Sequence, residues 1–448
     1  MDRLGRELQR REEGQAIVLV ALAMVAMLGM LALAVDGGVA YAMRRQMQNA
    51  SDSGSLGGAQ VLLNRLSDLS GATEQAVLAA VHANAEQNGV ADSNGIPGDG
   101  INDNLQAFFV DQNDTPLGGP LGSNGVVPAE ARGVQVGASG SFVSFFAGLA
   151  GHDSLGVGAT ATARYESVVV PFGLLVLHPN QCGAMYVHGQ GDFSVTNGGV
   201  HVNSACMSGQ LYTGQTSTVA DNLSVVGSYE IQGGNATVSP TPDTGMEPVP
   251  DPLANLGDPG WGFPTQHGTP ASPQLLDISG PVAVALDPGI YWGGVRIRGK
   301  AVVTFRSGPY IFAGGGLEIS GQGDVTGNGV FFFNTNDPTH PNGDGAYGDF
   351  YCAGVGDIDF TPMSSGTYKN LLYFQDRNNT QNVYIAGNCL GGLTGTIYTP
   401  NAMIDIAGNG NTLAQFITET IEVRGNGWMD ILYDGDRFYE YEVLFLSQ

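Results

Sequence analysis

The sequence predicts an α+β N-terminal module with one transmembrane helix, followed by a mainly-β region that folds as a right-handed parallel β-helix, or β-solenoid. Three observations predict this class. Residues 16–35 form an uncharged apolar run. A short motif, apolar-x-apolar-x-Gly, recurs through the later part of the chain. Glycine is unusually abundant at 68 residues, which suits a fold with many tight turns.

The apolar run is long enough to cross a membrane as one helix, since 1.5 Å per residue gives roughly 30 Å, the thickness of a bilayer's hydrocarbon core. A removable secretory signal is the alternative, because Ala32, Leu33 and Ala34 form an Ala-x-Ala triplet. The apolar part of such signals is usually shorter, about 7 to 15 residues. Arginines before the run predict a cytoplasmic head of residues 1–15 and an exported remainder, periplasmic or extracellular. They are Arg3, Arg6, Arg10 and Arg11.

The composition suits an exported domain and argues against nucleic acid as a partner. Charged residues make up 13% of the chain and the net charge is −25. Binding to a phosphate backbone needs clustered Lys and Arg, and the only lysines are Lys300 and Lys369. The negative charge of the chain is more compatible with a divalent cation or a basic partner surface than with nucleic acid.

Two short motifs follow the apolar run: Val35-Asp36-Gly37-Gly38-Val39-Ala40-Tyr41 and Gln48-Asn49-Ala50-Ser51-Asp52-Ser53. They resemble the N-terminal module of Tad/Flp pilus-assembly proteins of the TadG-like type. In that family a transmembrane helix runs into a Val-Asp-x-Gly-x-x-Tyr turn and then into an Ala-rich helix. The resemblance implies a membrane-anchored, non-enzymatic component whose partners are other pilus-assembly or envelope proteins.

Residues 36–170 are predicted to form the α+β module outside the membrane. Apolar residues recur at helical spacing to about residue 90, and short apolar stretches from about residue 105 predict a small sheet. The helix is expected to be interrupted near Gly54, Gly57 and Gly58, because glycine and serine stand where the family prefers alanine and are poorer helix formers.

Processing of the pilin type is not expected. A class-IV pilin precursor is cut after a glycine and carries a glutamate at the fifth position beyond it. Here Leu19 occupies the fifth position after Gly14. The resemblance therefore implies an assembly or accessory component instead of a polymerised subunit.

The recurring motif predicts stacked coils of a solenoid. Neighbouring copies are often about 20 residues apart, which suits one coil of short strands stacked at about 4.8 Å on the next. The alternation places Val295 and Ile297 inward and Arg296 and Arg298 outward. The copies are Met185-Tyr186-Val187-His188-Gly189, Val295-Arg296-Ile297-Arg298-Gly299, Leu317-Glu318-Ile319-Ser320-Gly321, Val383-Tyr384-Ile385-Ala386-Gly387, Ile404-Asp405-Ile406-Ala407-Gly408 and Ile421-Glu422-Val423-Arg424-Gly425.

A Pro-rich stretch, residues 240–274, separates residues 171–239 from residues 275–448. Proline cannot donate ladder hydrogen bonds, so this stretch is predicted to be a loop or linker that lies across the solenoid. The two flanking parts are either lobes of one solenoid or separate domains.

Four cysteines, all in the predicted exported part, indicate an oxidising compartment. Cys182 and Cys206 are 24 positions apart, near one coil, so stacking brings them within disulfide distance and leaves Cys352 with Cys389. Zinc ligands and buried free thiols are the alternatives, although no Cys-x-x-Cys motif favours zinc.

Calcium is the one cofactor that the sequence suggests, and otherwise none is expected. The loop around residues 92–104 is rich in Asp, Asn and Gly, and its candidate ligands are Asp92, Asn94, Asp99 and Asp103. It lacks the EF-hand spacing, and a solvated turn has the same composition. His188 and His201 occupy strand-like positions, where an outward or packed imidazole is expected in preference to a ligand or base.

No catalytic motif is present, so the chain is predicted not to be an enzyme. A polysaccharide lyase or hydrolase on a β-helix is the rival hypothesis, and the fold alone does not establish it. Its candidate residues are Asp324, Asp357, Asp359, Asp405, Arg296, Arg298 and Arg424.

These observations together predict a single-pass protein that takes part in Tad/Flp-type pilus assembly or cell-surface adhesion and projects a rigid solenoid. An adhesin unrelated to any pilus, with surface glycans as partners, is the other non-enzymatic hypothesis. Four aromatic residues are candidate contact sites, although inward packing is the more common use of such residues. They are Tyr291, Trp292, Tyr310 and Tyr351.

Overall fold

The computed structural model describes residues 2–67, 73–90, 104–122, 125–146, 148, 151–233, 235–425 and 428–447. The chain divides into two compact units. The N-terminal unit comprises Met1–Ser167 and Glu442–Gln448, and the β unit comprises Val168–Tyr441. The predicted long apolar N-terminal helix and mainly-β C-terminal region are both confirmed.

The described part of the N-terminal unit contains the α-helices α1 (Asp2–Ser67) and α2 (Glu74–Gln87). The α2 helix begins at an N-cap, Thr73, whose hydroxyl accepts a hydrogen bond from the backbone N of Ala76 at 3.2 Å. One face of α2 carries Val77, Val81 and Ala85 at helical spacing, and all three are fully buried. This face is part of a core that includes Val134 and Val136.

The predicted interruption of the first helix is wrong, because α1 is continuous through the glycines. A Cβ atom at Gly58 would lie 2.8 Å from the Val81 side chain, so glycine there allows α2 to approach closely. Ser51 donates to the carbonyl of Ala159 at 3.1 Å and accepts from the N of Ala138 at 3.2 Å. Each glycine destabilises a helix by about 1 kcal/mol relative to alanine. Tertiary packing and these hydrogen bonds offset that cost.

The strands alternate with short turns along the rest of the chain. In chain order they are β1 (Leu105–Val110), β2 (Gly133–Val143), β3 (Ser154–Val169), β4 (Phe172–Val176), β5 (Met185–Gly189), β6 (Asp192–Val202), β7 (Gln210–Thr213), β8 (Ser217–Val225), β9 (Tyr229–Gln232), β10 (Thr237–Ser239), β11 (Asp243–Thr244), β12 (Thr265–His267), β13 (Leu276–Ser279), β14 (Ala283–Leu286), β15 (Gly289–Trp292), β16 (Val295–Gly299), β17 (Val302–Phe305), β18 (Gly308–Ala313), β19 (Leu317–Gly321), β20 (Val325–Thr335), β21 (Phe350–Cys352), β22 (Ile358–Pro362), β23 (Leu371–Gln375), β24 (Val383–Gly387), β25 (Thr394–Gly408), β26 (Gly410–Gly425), β27 (Trp428–Leu432) and β28 (Glu440–Ser447). Short 3₁₀ helices occupy Gly343–Gly345, Leu390–Gly392 and Gly435–Arg437.

A four-stranded sheet in the order β1-β2-β3-β28 completes the N-terminal unit. Strands β1, β2 and β3 pair antiparallel, with Val136 opposite both Ala107 and Ala161. Ser167 and Ser447 donate hydrogen bonds to Glu442 and Asp114, at 2.8 and 3.0 Å. A small sheet packed on helices is what the sequence predicts for this part of the chain.

Strands of the β unit pair in parallel and form three ladders. The first ladder runs β12, β15, β18, β20, β23, β25, β26, β4, β6, β8 and β11. The middle ladder runs β13, β16, β19, β21, β24, β25, β26, β5, β7 and β9. The third ladder consists of two runs. One runs β14, β17, β20 and β22, and the other runs β26, β27, β6, β8 and β10. All copies of the recurring motif lie in the middle ladder.

The order of strands in the ladders differs from their order in the chain. The last motif copy, in β26, pairs with the first copy, in β5, so that Ile421 lies opposite Met185 and Glu422 opposite Tyr186. The chain therefore enters the ladders in the middle and fills one end with β6 to β11. It then returns to the opposite end, at β12 to β14, and builds back to β26 and β27.

Apolar side chains of the three ladders meet in one interior core. Val295 and Ile297 are 0% and 2% exposed, while Arg296 and Arg298 point outward, as the alternation predicts. Phe305, Phe332 and Phe360 make edge-to-face contacts inside, with ring centroids 5.1 to 5.8 Å apart. Tight corners use the glycine that closes the motif, and Gly299 has a φ of 75°.

Candidate functional site

The apolar part of α1 offers a fully exposed hydrophobic surface. Every described side chain from Ile17 to Val35 is exposed, including Ile17 at 70% and Leu33 at 79%. This stretch is long and apolar enough to cross a membrane, and none of it is buried within the protein. Exposed apolar surface of this extent is stable in water only if something covers it.

Asp36 is the first buried residue after that apolar stretch, with 7% of its surface exposed. Its carboxylate accepts hydrogen bonds from the backbone N atoms of Phe145 and Phe146, at 2.9 and 3.0 Å. Next to them, Ser144 donates to the carbonyl of His152 at 2.6 Å. The aspartate of the first motif therefore fixes the connection between β2 and β3 to α1. The sequence identified Asp36 by its motif but gave no sign of its partners, which lie about 110 residues away.

Ion pairs and stacked rings cover the outer surface of the middle ladder. Arg298 pairs with Asp277 at 2.5 Å and Arg424 with Asp405 at 2.6 Å, each between neighbouring strands. Other contacts on this surface are Arg296 with Glu318 at 2.6 Å, His188 with Glu422 at 2.8 Å, and the Tyr351 and Tyr384 rings stacked at 5.0 Å. These outward side chains are satisfied by one another across the ladder.

The residues proposed for a solenoid enzyme are divided between two surfaces. Asp405, Arg296, Arg298 and Arg424 lie on the middle ladder, and each is in an ion pair. Asp324, Asp357 and Asp359 lie at or beside strands of the third ladder, where Asp324 accepts from the N of Asp357 at 3.0 Å. The structure does not bring the seven together into one group.

The two candidate histidines have different environments. His188 points outward and stacks on Tyr186, with ring centroids 4.5 Å apart. His201 is 2% exposed and its ring nitrogens lie 2.8 Å from Ser224 Oγ and 3.1 Å from Asn203 Oδ1.

The four aromatic candidates for contact sites differ in burial. Tyr291, Trp292 and Tyr310 are buried, and Tyr351 is half-buried on the outer surface.

No group of three or more His, Cys, Asp or Glu side chains within the described residues has the geometry of a metal site. The calcium candidates Asp92, Asn94, Asp99 and Asp103 lie outside those residues.

Both cysteine pairs suggested by the spacing are disulfide-bonded. Cys182–Cys206 has a Cα–Cα distance of 5.2 Å and Cys352–Cys389 one of 5.9 Å. Each bond joins neighbouring turns of the ladders, and the second is fully buried. No cysteine is left free for zinc or for thiol chemistry.

Part of the Pro-rich segment lies along the first ladder. Residues 245–264, here called the strap, begin beside β8, where Met246 N donates to Val225 O at 3.2 Å, and end beside β15, where Pro264 O accepts from Ile290 N at 2.8 Å. Between these points Leu253 is 1% exposed and packs on the outer apolar face of the ladder.

Arg377 fastens the middle of the strap, and no local sequence pattern singles it out. Its Nη2 donates to the carbonyls of Leu253 and Leu256 at 2.7 and 2.9 Å, and its Nη1 pairs with Asp258 at 3.1 Å. The guanidinium lies 4.9 Å from the centre of the Phe374 ring. A lone arginine after a buried strand carries no motif that predicts such contacts.

Comparison with curated proteins and with solved structures gives no match. Comparison with protein families gives the Tad family, described as putative Flp pilus-assembly TadE/G-like, over residues 14–61. The match covers the exposed apolar stretch, Asp36 and the serine and glycine positions that pack on α2 and β2. Residues 14–61 thus match the Tad family model, in agreement with the resemblance that the two motifs after the apolar run predict.

Proposed function

We propose that this protein is a membrane-anchored, non-enzymatic component of Tad/Flp-type pilus assembly or cell-surface adhesion. The Tad match over residues 14–61 is the observation that carries the proposal. It coincides with the only stretch of the described chain that is apolar enough to span a membrane and is left wholly exposed. The apolar part of α1 anchors the protein, and Asp36 holds the extramembrane sheet to the same helix.

The β unit acts as a rigid projecting body, which we propose is a right-handed β-helix. Its parallel ladders and its closed apolar interior support this proposal. Parallel strands stacked at about 4.8 Å leave side chains in fixed outward rows, a surface suited to binding or spacing. Two disulfides in this unit favour an oxidising compartment, periplasmic or extracellular.

Orientation follows from the flanking charges. The four arginines before residue 16 favour a cytoplasmic N-terminus, although Arg44 and Arg45 reduce the difference between the two sides. External protease is expected to cut the β unit in intact spheroplasts at the same rate as after the spheroplasts are lysed. Cleavage that occurs only after lysis would reverse the orientation.

Partner identification in native membranes tests the role. A photo-crosslinking residue replaces Leu28, which is 55% exposed in the apolar stretch, and a control replaces Val302, which is 44% exposed in β17. We expect Leu28 to give crosslinks to pilins or to the membrane platform of the assembly machine, and Val302 not to give the same products. If neither position captures a pilus component while the protein is intact and abundant, the pilus role is wrong.

A further inference from the structure

A cleft of about 290 Å³ opens between the strap and the first ladder, within the β unit. Its lining combines aromatic, carboxylate and amide groups, and it does not belong to the module that matches the Tad family. The lining includes Asp258, Trp261, Thr335, Tyr347, Asp376 and Asn378. Its volume is near the lower end of small-ligand sites, which span about 300–1,000 Å³.

Trp261 forms a flat apolar wall of this cleft. Its ring is 46% exposed and stacks on Trp292, with centroids 5.2 Å apart and planes 13° from parallel. Trp292 is 6% exposed and donates its Nε1–H to Thr265 Oγ1 at 3.2 Å. Because Trp292 is fixed in this way, Trp261 is held in place instead of folding back into the core, and it leaves much of its surface free for stacking.

Polar groups of fixed direction also line this cleft. Asp376 is 8% exposed; its Oδ2 accepts from Thr335 Oγ1 at 2.6 Å and its Oδ1 from the N of Asn378 at 2.8 Å. Burial raises the pKa of Tyr347, and the nearby carboxylates Asp376 and Asp258 raise it further. The phenol therefore stays protonated at neutral pH, and its hydroxyl is oriented by hydrogen bonds with Asp376 and Asn378.

Of the two carboxylates in the cleft, one is paired with an arginine and the other accepts from neutral hydrogen-bond donors, so the cleft carries a negative charge that disfavours an anionic ligand. Asp258 is paired with Arg377 at 3.1 Å. Asp376 already accepts hydrogen bonds on both oxygens, including one from Asn378 Nδ2 at 3.3 Å. The cleft therefore combines an apolar plate with hydrogen-bonding groups of fixed direction, the combination that a sugar ring recognises through its C–H face and its hydroxyls.

We propose that the cleft binds a neutral hexopyranose unit of a polysaccharide, with the sugar ring stacked on Trp261 and its hydroxyls hydrogen-bonded to Tyr347, Asp376 and Asn378. No bond is made or broken. The inference is independent of the pilus role, because the cleft and the Tad-matching module share no residue.

Binding of defined sugars to the purified full-length protein tests this site. Intrinsic fluorescence and saturation-transfer NMR follow a panel of neutral, uronic-acid and amino hexose oligosaccharides. We expect a neutral member to bind and the Trp261→Ala variant to weaken its affinity at least tenfold. Trp428→Ala is the matched control, since Trp428 is 50% exposed in β27 and does not line the cleft, and its affinity is expected to be unchanged.

Further variants separate a lost contact from a displaced strap. Trp261→Phe keeps an aromatic plate and is expected to retain most of the affinity, and thermal unfolding is recorded for every variant. The proposal is overturned if no neutral sugar binds, if only charged sugars bind, or if Trp261→Ala binds as well as the unchanged protein. None of these results bears on the pilus role, since no assembly component is present.

Discussion

His201 is a buried imidazole that makes the stability of the β unit sensitive to acid. Burial lowers its pKa below the usual 6.5, and the hydrogen bond with Asn203 only partly opposes this effect. The unfolded chain therefore binds a proton at a higher pH than the folded chain. As the pH falls below about 6.5 the unfolded state is favoured, by at most about 1.4 kcal/mol per pH unit, until the folded pKa is passed.

We expect the His201→Gln variant to lose less thermal stability than the unchanged protein when the pH is lowered from 7.5 to 5.5. Burial also raises the pKa values of Asp258, Asp349 and Glu419, and these carboxyl groups act in the opposite direction. Their effect is common to both proteins and cancels in the comparison. The melting temperature is the measurement, and His152→Gln, at an exposed position, is the control. Equal acid sensitivity in all three proteins would contradict the assignment.

Asp36 permits a second test at the level of one residue. Hydrogen bonds to a charged acceptor contribute about 1.5–3 kcal/mol each, and Asp36 accepts two from the backbone of Phe145 and Phe146. In Asp36→Asn the amides of these two residues are expected to exchange hydrogen about 10- to 100-fold faster. Hydrogen exchange of the full-length protein in detergent measures this. Asp52→Asn, which loses a side-chain contact with Gln48 only, is the control, and equal exchange in both variants would argue against the role of Asp36.

At the scale of elements, the strap depends on Arg377. Its removal leaves the Leu253 and Leu256 carbonyls without their donor and Asp258 without its ion pair. Loss of a partner to buried polar groups costs about 1–3 kcal/mol. We expect Arg377→Met to expose the strap to limited proteolysis within residues 245–264 while the ladders stay intact.

Arg298→Met supplies the comparison for the strap. Arg298 also forms an ion pair, with Asp277, but its side chain is 52% exposed, and such surface pairs contribute about 0–1 kcal/mol. The strap of the Arg298→Met variant is expected to be cut as slowly as that of the unchanged protein. Cleavage of Arg377→Met at the same slow rate would show that the other strap contacts, such as the hydrogen bond from the Tyr398 hydroxyl to Asp251 at 2.6 Å, hold the segment without Arg377.

Elements that carry a local periodic signal could be predicted from the sequence. The motif copies that begin at Val295 and Ile404 are strand segments of the middle ladder, because alternation and a closing glycine are properties of the strand itself. Continuity of α1 could not be predicted from propensity, since the reason lies in α2 and β2 packing on Gly58. Arg377 and the cleft beside the strap were missed for the same reason, because their partners are distant in sequence.

For the whole β unit, the order of stacking is the property that the sequence could not provide. All motif copies have the same apolar pattern, so any copy is able to stack on any other. The observed order places β26 next to β5 and leaves β9 and β13 at opposite ends of the middle ladder. The strap connects the two ends of the ladders, because it leads the chain from the end that holds β11 to the end that holds β12.

Two engineered cysteine pairs distinguish the observed order from stacking in chain order. Tyr186 and Glu422 are partners in the ladder, and parallel partners lie about 4.8 Å apart, within the range for a disulfide. Glu230 and Asp277 would be neighbours if the coils were stacked in chain order. In the observed order they occupy the two end strands, nine ladder steps or about 43 Å apart.

All four native cysteines are already disulfide-bonded, so the introduced pair supplies the only free thiols. We expect Tyr186→Cys with Glu422→Cys to crosslink on mild oxidation, and Glu230→Cys with Asp277→Cys to keep both thiols. Peptide mapping by mass spectrometry after proteolysis reads out both results. A crosslink in the second pair and none in the first would mean that the coils follow the chain, and the strap would then have no distance to span.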